Sequence, residues 1–230
     1  MKAFHLYQVL KKEFESNTDS ARANAMSKYM RNLFVFYGIP TPLRIEITKK
    51  ALIDFKWDSI KDLSDFVELC FQSDEREWQY TAIFVLTKYK KNWNENTVEL
   101  IEQCIIQKSW WDTVDLLASN CVGYCFTKYP NQLPSKISTW RQSENIWLNR
   151  SCLIFQLSYK HKTDTELLAS LIQQFADSKE FFIQKAIGWS LRQLGKHQAN
   201  VVFDIINNNE LKPLSKREAL KHLKNKTVTL

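Results

Sequence analysis

The chain has 230 residues, a formal net charge of +7 at pH 7 and 44% hydrophobic content, enough for one substantial core over 1–230 and rather short for two independent domains. Only 4 Gly and 5 Pro occur, too few for the turns that hairpins, barrels and phosphate-binding loops require, so helices are expected throughout. The five cysteines are odd in number, scattered and without a CxxC pair, and the four histidines are isolated from one another, which argues against a disulfide framework and against a metal or other cofactor.

The first helix pair is expected over 2–15 and 19–36. Its opening, Met1-Lys2-Ala3-Phe4-His5-Leu6, soon turns charged at Lys11, Lys12 and Glu13, unlike a signal peptide. No segment approaches the roughly 20 apolar residues needed to cross a bilayer. A cytoplasmic monomer with no membrane contact is the expectation, and the basic balance points to a polyanionic partner.

Gly38 and Pro40-Thr41-Pro42 end that pair. Beyond them, residues suited to N-caps recur at Thr41, Asp74, Ser109, Ser143, Ser178 and Ser215, in steps of 33, 35, 34, 35 and 37 residues. Asp74 and Ser215 have Glu77 and Glu218 three residues on, as in a capping box. Each interval holds a second candidate: Ser59, Asn94, Asn131, Thr163 and Asn200. Apolar residues such as Ile83, Leu86, Val98, Ile101 and Ile105 recur at three- and four-residue steps, the mark of helices. The fold class expected is all-α, an α-solenoid of HEAT-like helix pairs, with a last helix over 215–225 as its cap.

In such a fold the first helices of successive pairs line one surface, so their contents can converge. The third unit begins Lys108-Ser109-Trp110-Trp111-Asp112-Thr113-Val114-Asp115, with Trp111 and Asp115 four apart on one face. The fourth pairs Trp147 with Arg150, and the fifth carries Lys185, Trp189 and Arg192. Arg150, Lys185 and Arg192 can neutralise phosphates. Tryptophan faces attract cations by about 0.5–2 kcal/mol, and purines alkylated at N3 or N7 are cations. Asp115 can stabilise positive charge developing on a deoxyribose and position water. A cationic purine leaves as a neutral base, so no general acid is needed. Each residue also has an ordinary reading. Tryptophans at helical spacing are usually core residues, acids favour first helical turns, and Arg150 can pair with a surface acid such as Glu144. Spacing does not decide between these.

Four motifs, Lys-Ser-Trp-Trp-Asp-Thr-Val-Asp at 108–115, Asn-Ile-Trp-Leu-Asn-Arg at 145–150, Lys-Glu-Phe-Phe-Ile-Gln-Lys-Ala-Ile-Gly-Trp at 179–189 and Pro-Leu-Ser-Lys-Arg-Glu-Ala at 213–219, resemble the AlkD family of DNA glycosylases. Tyr29-Met30-Arg31-Asn32 and Phe36-Tyr37-Gly38-Ile39-Pro40-Thr41-Pro42 extend the likeness over essentially the whole chain. The resemblance implies a concave DNA-binding face, Asp115 as catalytic carboxylate, Trp111 and Trp189 as its flanking aromatics, Arg150 as a phosphate-side cation and Tyr29 as a residue holding the DNA. It implies base excision repair of double-stranded DNA containing 3-methyladenine or 7-methylguanine, with the lesion left unflipped, unlike most enzymes that act on bases. Lys108 precedes the helix start and is no convincing Schiff-base lysine, so hydrolysis without strand cleavage is expected. The competing expectation is a non-catalytic HEAT-like module that binds nucleic acid or protein, which has no special need for Asp115.

Overall fold

The computed structural model describes residues 2–222, and among them the chain is helical from end to end, with one isolated parallel bridge between Val35 and Glu75. The all-α reading holds. No helix among the described residues is long and apolar enough to cross a membrane. The chain divides into two compact units, Met1–Leu100 and Ile101–Leu230.

The first unit contains α1 (Lys2–Ser16), α2 (Ser20–Tyr29), α3 (Thr41–Ala51), α4 (Ile60–Gln72), α5 (Arg76–Lys88) and the start of α6 (Thr97–Ile106). The helix α1 buries Ala3, Leu6, Leu10 and Phe14, a stripe at three- and four-residue steps, and packs on α3 and α4, which in turn hold α5. Trp78 of α5 is fully buried, its ring 4.3 Å from that of Tyr7 and 4.9 Å from that of Phe14.

The second unit continues with α7 (Trp111–Leu116), α8 (Gly123–Lys128), α9 (Leu133–Gln142), α10 (Ile146–Ile154), α11 (Thr165–Phe175), α12 (Phe181–Leu194), α13 (Ala199–Asn207) and α14 (Pro213–Ala219). The first helices of its pairs lie side by side, α7 on α10, α10 on α12 and α12 on α14. All five cysteines are buried, and burial pushes the Cys125 and Cys152 thiols up to about 12.

First helices begin at 41, 76, 111, 146 and 181, a constant step of 35 residues, more regular than the caps read from sequence. The difference lies in the serines. Ser143 and Ser178 stand two residues before the true N-caps, Asn145 and Glu180, and their hydroxyls accept the N–H groups of those caps, so they shape the turn that feeds the helix. Pro40, Glu75, Trp110 and Lys212 cap the others. Among second helices, Ser59 caps α4 as expected, accepting from the Asp62 N–H. Asp164 rather than Thr163 caps α11, Asn131 lies in a single 3-10 turn, and Asn200 lies inside α13.

Two expected lengths change. The segment expected as helix to 36 leaves it at Tyr29, because Arg31 and Asn32 both turn left-handed, φ 57° each. The last helix begins at Pro213 and ends at Ala219 with one 3-10 turn over Leu220–His222; positions 223–225 lie outside the described residues.

Side-chain amides at one repeat position fasten the turns. Gln79 donates to the carbonyls of Cys70 and Ser73, Asn149 to those of Trp140 and Ser143, and Gln184 to that of Ser178. Each is the fourth residue of its first helix and satisfies carbonyls left open where the preceding helix ends. In the first unit the buried Glu77 carboxylate gathers the turn after α2, accepting from Tyr37 N (3.1 Å), Gly38 N (2.9 Å) and Ile39 N (3.1 Å). Gly38 sits there at φ 88°, where a Cβ would meet the Asp19 carbonyl oxygen at 2.2 Å.

An amide in place of this carboxylate cannot accept at both ends. Glu77→Gln is expected to lower the unfolding free energy of the first unit by about 2–4 kcal/mol, from weakened charge-assisted bonds and an unmet buried donor. Urea unfolding together with amide exchange at 37–39 checks this; unaltered exchange there would remove Glu77 from the role.

Candidate active site

The constant step has a chemical consequence. Asp115, Arg150 and Lys185 each occupy the fifth position of a first helix, α7, α10 and α12 in turn. Because those helices are neighbours, an acid, an arginine and a lysine fall in one row. They line a cleft of about 370 Å³ whose other walls are Trp111, Phe181, Phe182, Trp189, Arg192 and Glu218. All these residues belong to the second unit.

Asp115 and Arg150 meet as a fork on a fork. Arg150 Nε donates to Asp115 Oδ1 at 2.7 Å and Nη2 to Oδ2 at 2.8 Å, while Nη1 donates to the Phe182 carbonyl. This geometry suits a guanidinium and no lysine could reproduce it. The pair is largely withdrawn from water, with side-chain exposures of 15% for Asp115 and 5% for Arg150. Burial raises the Asp115 carboxyl above its ordinary value of 3.8, the hydrogen bonds and charge of Arg150 pull it back down, and nearby Asp112 adds to the rise. The net direction is upward.

Directly after Asp115 the helix changes pitch. Leu117–Val122 is π-helical before the α form resumes at Gly123, and such wide turns are frequent at functional sites. Ser119 Oγ donates to the Asp115 carbonyl at 2.6 Å, closing one turn that the widened ladder loosens.

The opposite wall depends on one close approach. Gly188 of α12 has no room for a side chain, since a Cβ there would lie 2.4 Å from Glu218 Cβ and 2.9 Å from the Ser215 carbonyl oxygen. Its absence lets α14 lie against α12 and delivers Glu218 to the cleft. Glu218 Oε1 takes Lys185 at 3.1 Å and Lys221 at 2.8 Å, and Oε2 takes Arg192 at 2.9 Å. The hydrogen bond from Lys221, aided by Lys185 and opposed by burial, holds the Glu218 carboxyl down at about 2. Any stability from this depressed value is present above the ordinary glutamate range and is lost as pH falls towards 2.

Of the residues singled out from sequence, Trp111, Asp115, Arg150, Lys185, Trp189 and Arg192 come together at the cleft. Trp147 does not. It is buried against Trp110 and Phe182, with ring centroids 5.6 Å and 4.9 Å away. Tyr29 is exposed at the end of α2 in the first unit. Sequence reasoning missed Phe181, Phe182 and Glu218. Phe181 had a signal, since it repeats the first-residue position of Trp111 two steps later.

The ion pair makes a testable statement about protonation. Side-chain carboxyl NMR is expected to place the wild-type Asp115 titration above 3.8, and in Arg150→Ala, where burial acts unopposed, higher still. A midpoint that stays or falls in the variant would mean that Arg150 does not hold the carboxylate.

The sequence of residues 10–223 matches the family model described as DNA alkylation repair enzyme. A solved structure described as a predicted DNA alkylation repair enzyme from Enterococcus faecalis is similar, with 35% identity and a TM-score of 0.84 over 91% of this chain and 98% of its own. No curated protein matches.

Proposed function

Because the chain belongs to the family of DNA alkylation repair enzymes, we propose that it is a monofunctional glycosylase that hydrolyses the N-glycosidic bond of positively charged N3- and N7-alkylated purines in double-stranded DNA. The lesions intended are 3-methyladenine and 7-methylguanine, met while still stacked in the duplex. The observation that carries this reading is the Asp115 carboxylate, held by Arg150 in a cleft walled by Trp111 and Trp189.

The chemistry follows from charge. As the bond between the sugar and the alkylated base breaks, its electron pair goes with the base, which leaves neutral, and positive charge appears on the deoxyribose. A fixed carboxylate in a site poor in water stabilises that charge most as it develops. Water then attacks the sugar carbon from the open side, and its proton passes to Asp115 or to solvent. The indole faces of Trp111 and Trp189 attract the cationic purine and the oxocarbenium-like sugar, by about 0.5–2 kcal/mol each.

Arg150 takes a different part from the phosphate contact inferred from sequence. Its guanidinium is spent on Asp115 and the Phe182 carbonyl, so in this reading it orients the carboxylate and keeps it ionised. Lys185 and Arg192 are left to meet the DNA backbone beside the cleft, with Tyr29 as a further DNA contact. Lys185 is ion-paired with Glu218, which suits a phosphate-binding ammonium better than a nucleophilic amine, and the abasic strand is left uncleaved.

Incubation with methylated duplex DNA tests this directly. Release of 3-methyladenine or 7-methylguanine is expected from the wild-type protein, with Asp115→Asn slowed about 10²–10³-fold while still binding the duplex. Neutral base lesions are expected to be poor substrates. A wild-type protein that binds the duplex and releases no base would sink the glycosylase reading and leave a binding module.

A further inference from the structure

The cleft holds a second carboxylate that the reaction does not use. Glu218 is a single acid beside three cations, Lys185, Arg192 and Lys221, so the cluster keeps a surplus of positive charge. Exposure is graded across it. The Glu218 side chain is 5% exposed, whereas Arg192, Lys185 and Lys221 are 23%, 36% and 47% exposed. The acid therefore lies beneath its partners, and an approaching polyanion meets the cations first. Each cation has donors to spare after serving Glu218, since an ammonium carries three and a guanidinium five.

The spacing on α12 gives the cluster a direction. Lys185 and Arg192 stand four residues before and three after Trp189, so all three lie along one face. Glu218 reaches this face from α14 only because Gly188 lets the two helices close.

The geometry points to Glu218 as a positioning residue for DNA binding: it sets Lys185, Arg192 and Lys221 as a fixed cradle for the phosphodiester backbone flanking the nucleotide that Trp189 faces. This rests on the DNA-repair reading of the same cleft. The cations are long, flexible chains, and a rigid acid among them lowers the entropy lost when they close on phosphate. Simple electrostatics makes the opposite forecast, that removing an acid beside the DNA tightens binding.

Glu218→Gln separates the two. Affinity for an unmodified duplex, measured by fluorescence anisotropy across a salt series, is expected to fall about 5–20-fold although the protein gains a positive charge, with the salt slope shallower by about one to two phosphate contacts. In base release, KM rises and kcat is held. Glu218→Asp, which keeps the charge one methylene shorter, is expected to restore part of the affinity. Equal or tighter binding by Glu218→Gln, or an unchanged slope, overturns the proposal, as does a loss of thermal stability with unaltered affinity, the mark of a clip between α12 and α14 alone. If Glu218→Gln does not fold, Glu218→Asp decides, since binding equal to wild type would exclude a positioning role. Because the affinity and salt-slope measurements use undamaged DNA, a wild-type protein that binds but releases no base fails the glycosylase reading without touching this one.

Discussion

Everything at the cleft depends on the step of 35 residues between first helices. A helix fixes the direction of a side chain by its place in the turn, so neighbouring helices that begin in the same phase present equivalent positions along a line. The fifth positions supply Asp115, Arg150 and Lys185, and the first positions supply Trp111 and Phe181. The step is in turn maintained by fourth-position amides, Asn149 and Gln184 in this unit, which bind the carbonyls where the preceding turn ends. Scaffold and site are thus written by adjacent residues of the same helices, one facing inward to fasten a turn and the next facing the cleft.

The two carboxylates of the cleft show how context divides like groups. Asp115 has one guanidinium and a largely dry setting, and burial wins, raising its proton affinity. Glu218 is as well hidden but has three cations, and its proton affinity falls. In the proposed reaction the first responds to charge that appears on the sugar, while the second, held by its three cations, stays an anion. Such separation of paired acids by environment is a general way for one fold to give two carboxylates different work.

Much of this was legible in the chain. Few glycines and prolines, together with recurring cap-like residues, were enough for an all-helical repeat, and Trp111, Asp115 and Arg150 stand in motifs that could be read directly. What escaped reading was phase and distance. Trp147 and Trp111 look alike beside their charged neighbours, yet Trp147 is buried, packed against the half-buried Trp110 and Phe182 rather than lining the cleft. Glu218 reads as the partner of Ser215 in a capping box, whereas Ser215 is buried inside α14 and Glu218 serves residues of α12. No local pattern announces that, because the deciding contact is the missing side chain at Gly188. The serines at 143 and 178 were found for a sound reason, hydrogen bonding to nearby backbone, but they act two residues before the helix proper.

The π-helical passage through Leu117–Val122 makes chain length itself a control on the cleft. A wide turn is an α-helix that has absorbed an extra residue. Deleting one residue from 117–122 would let the ladder return to α pitch, and would turn the Asp115 side chain by about 100° relative to α8. Asp115 would then leave its place opposite Arg150 with no side chain of the cleft altered. The number of residues in this stretch therefore sets the orientation of the acid, independently of the identity of any side chain in the cleft.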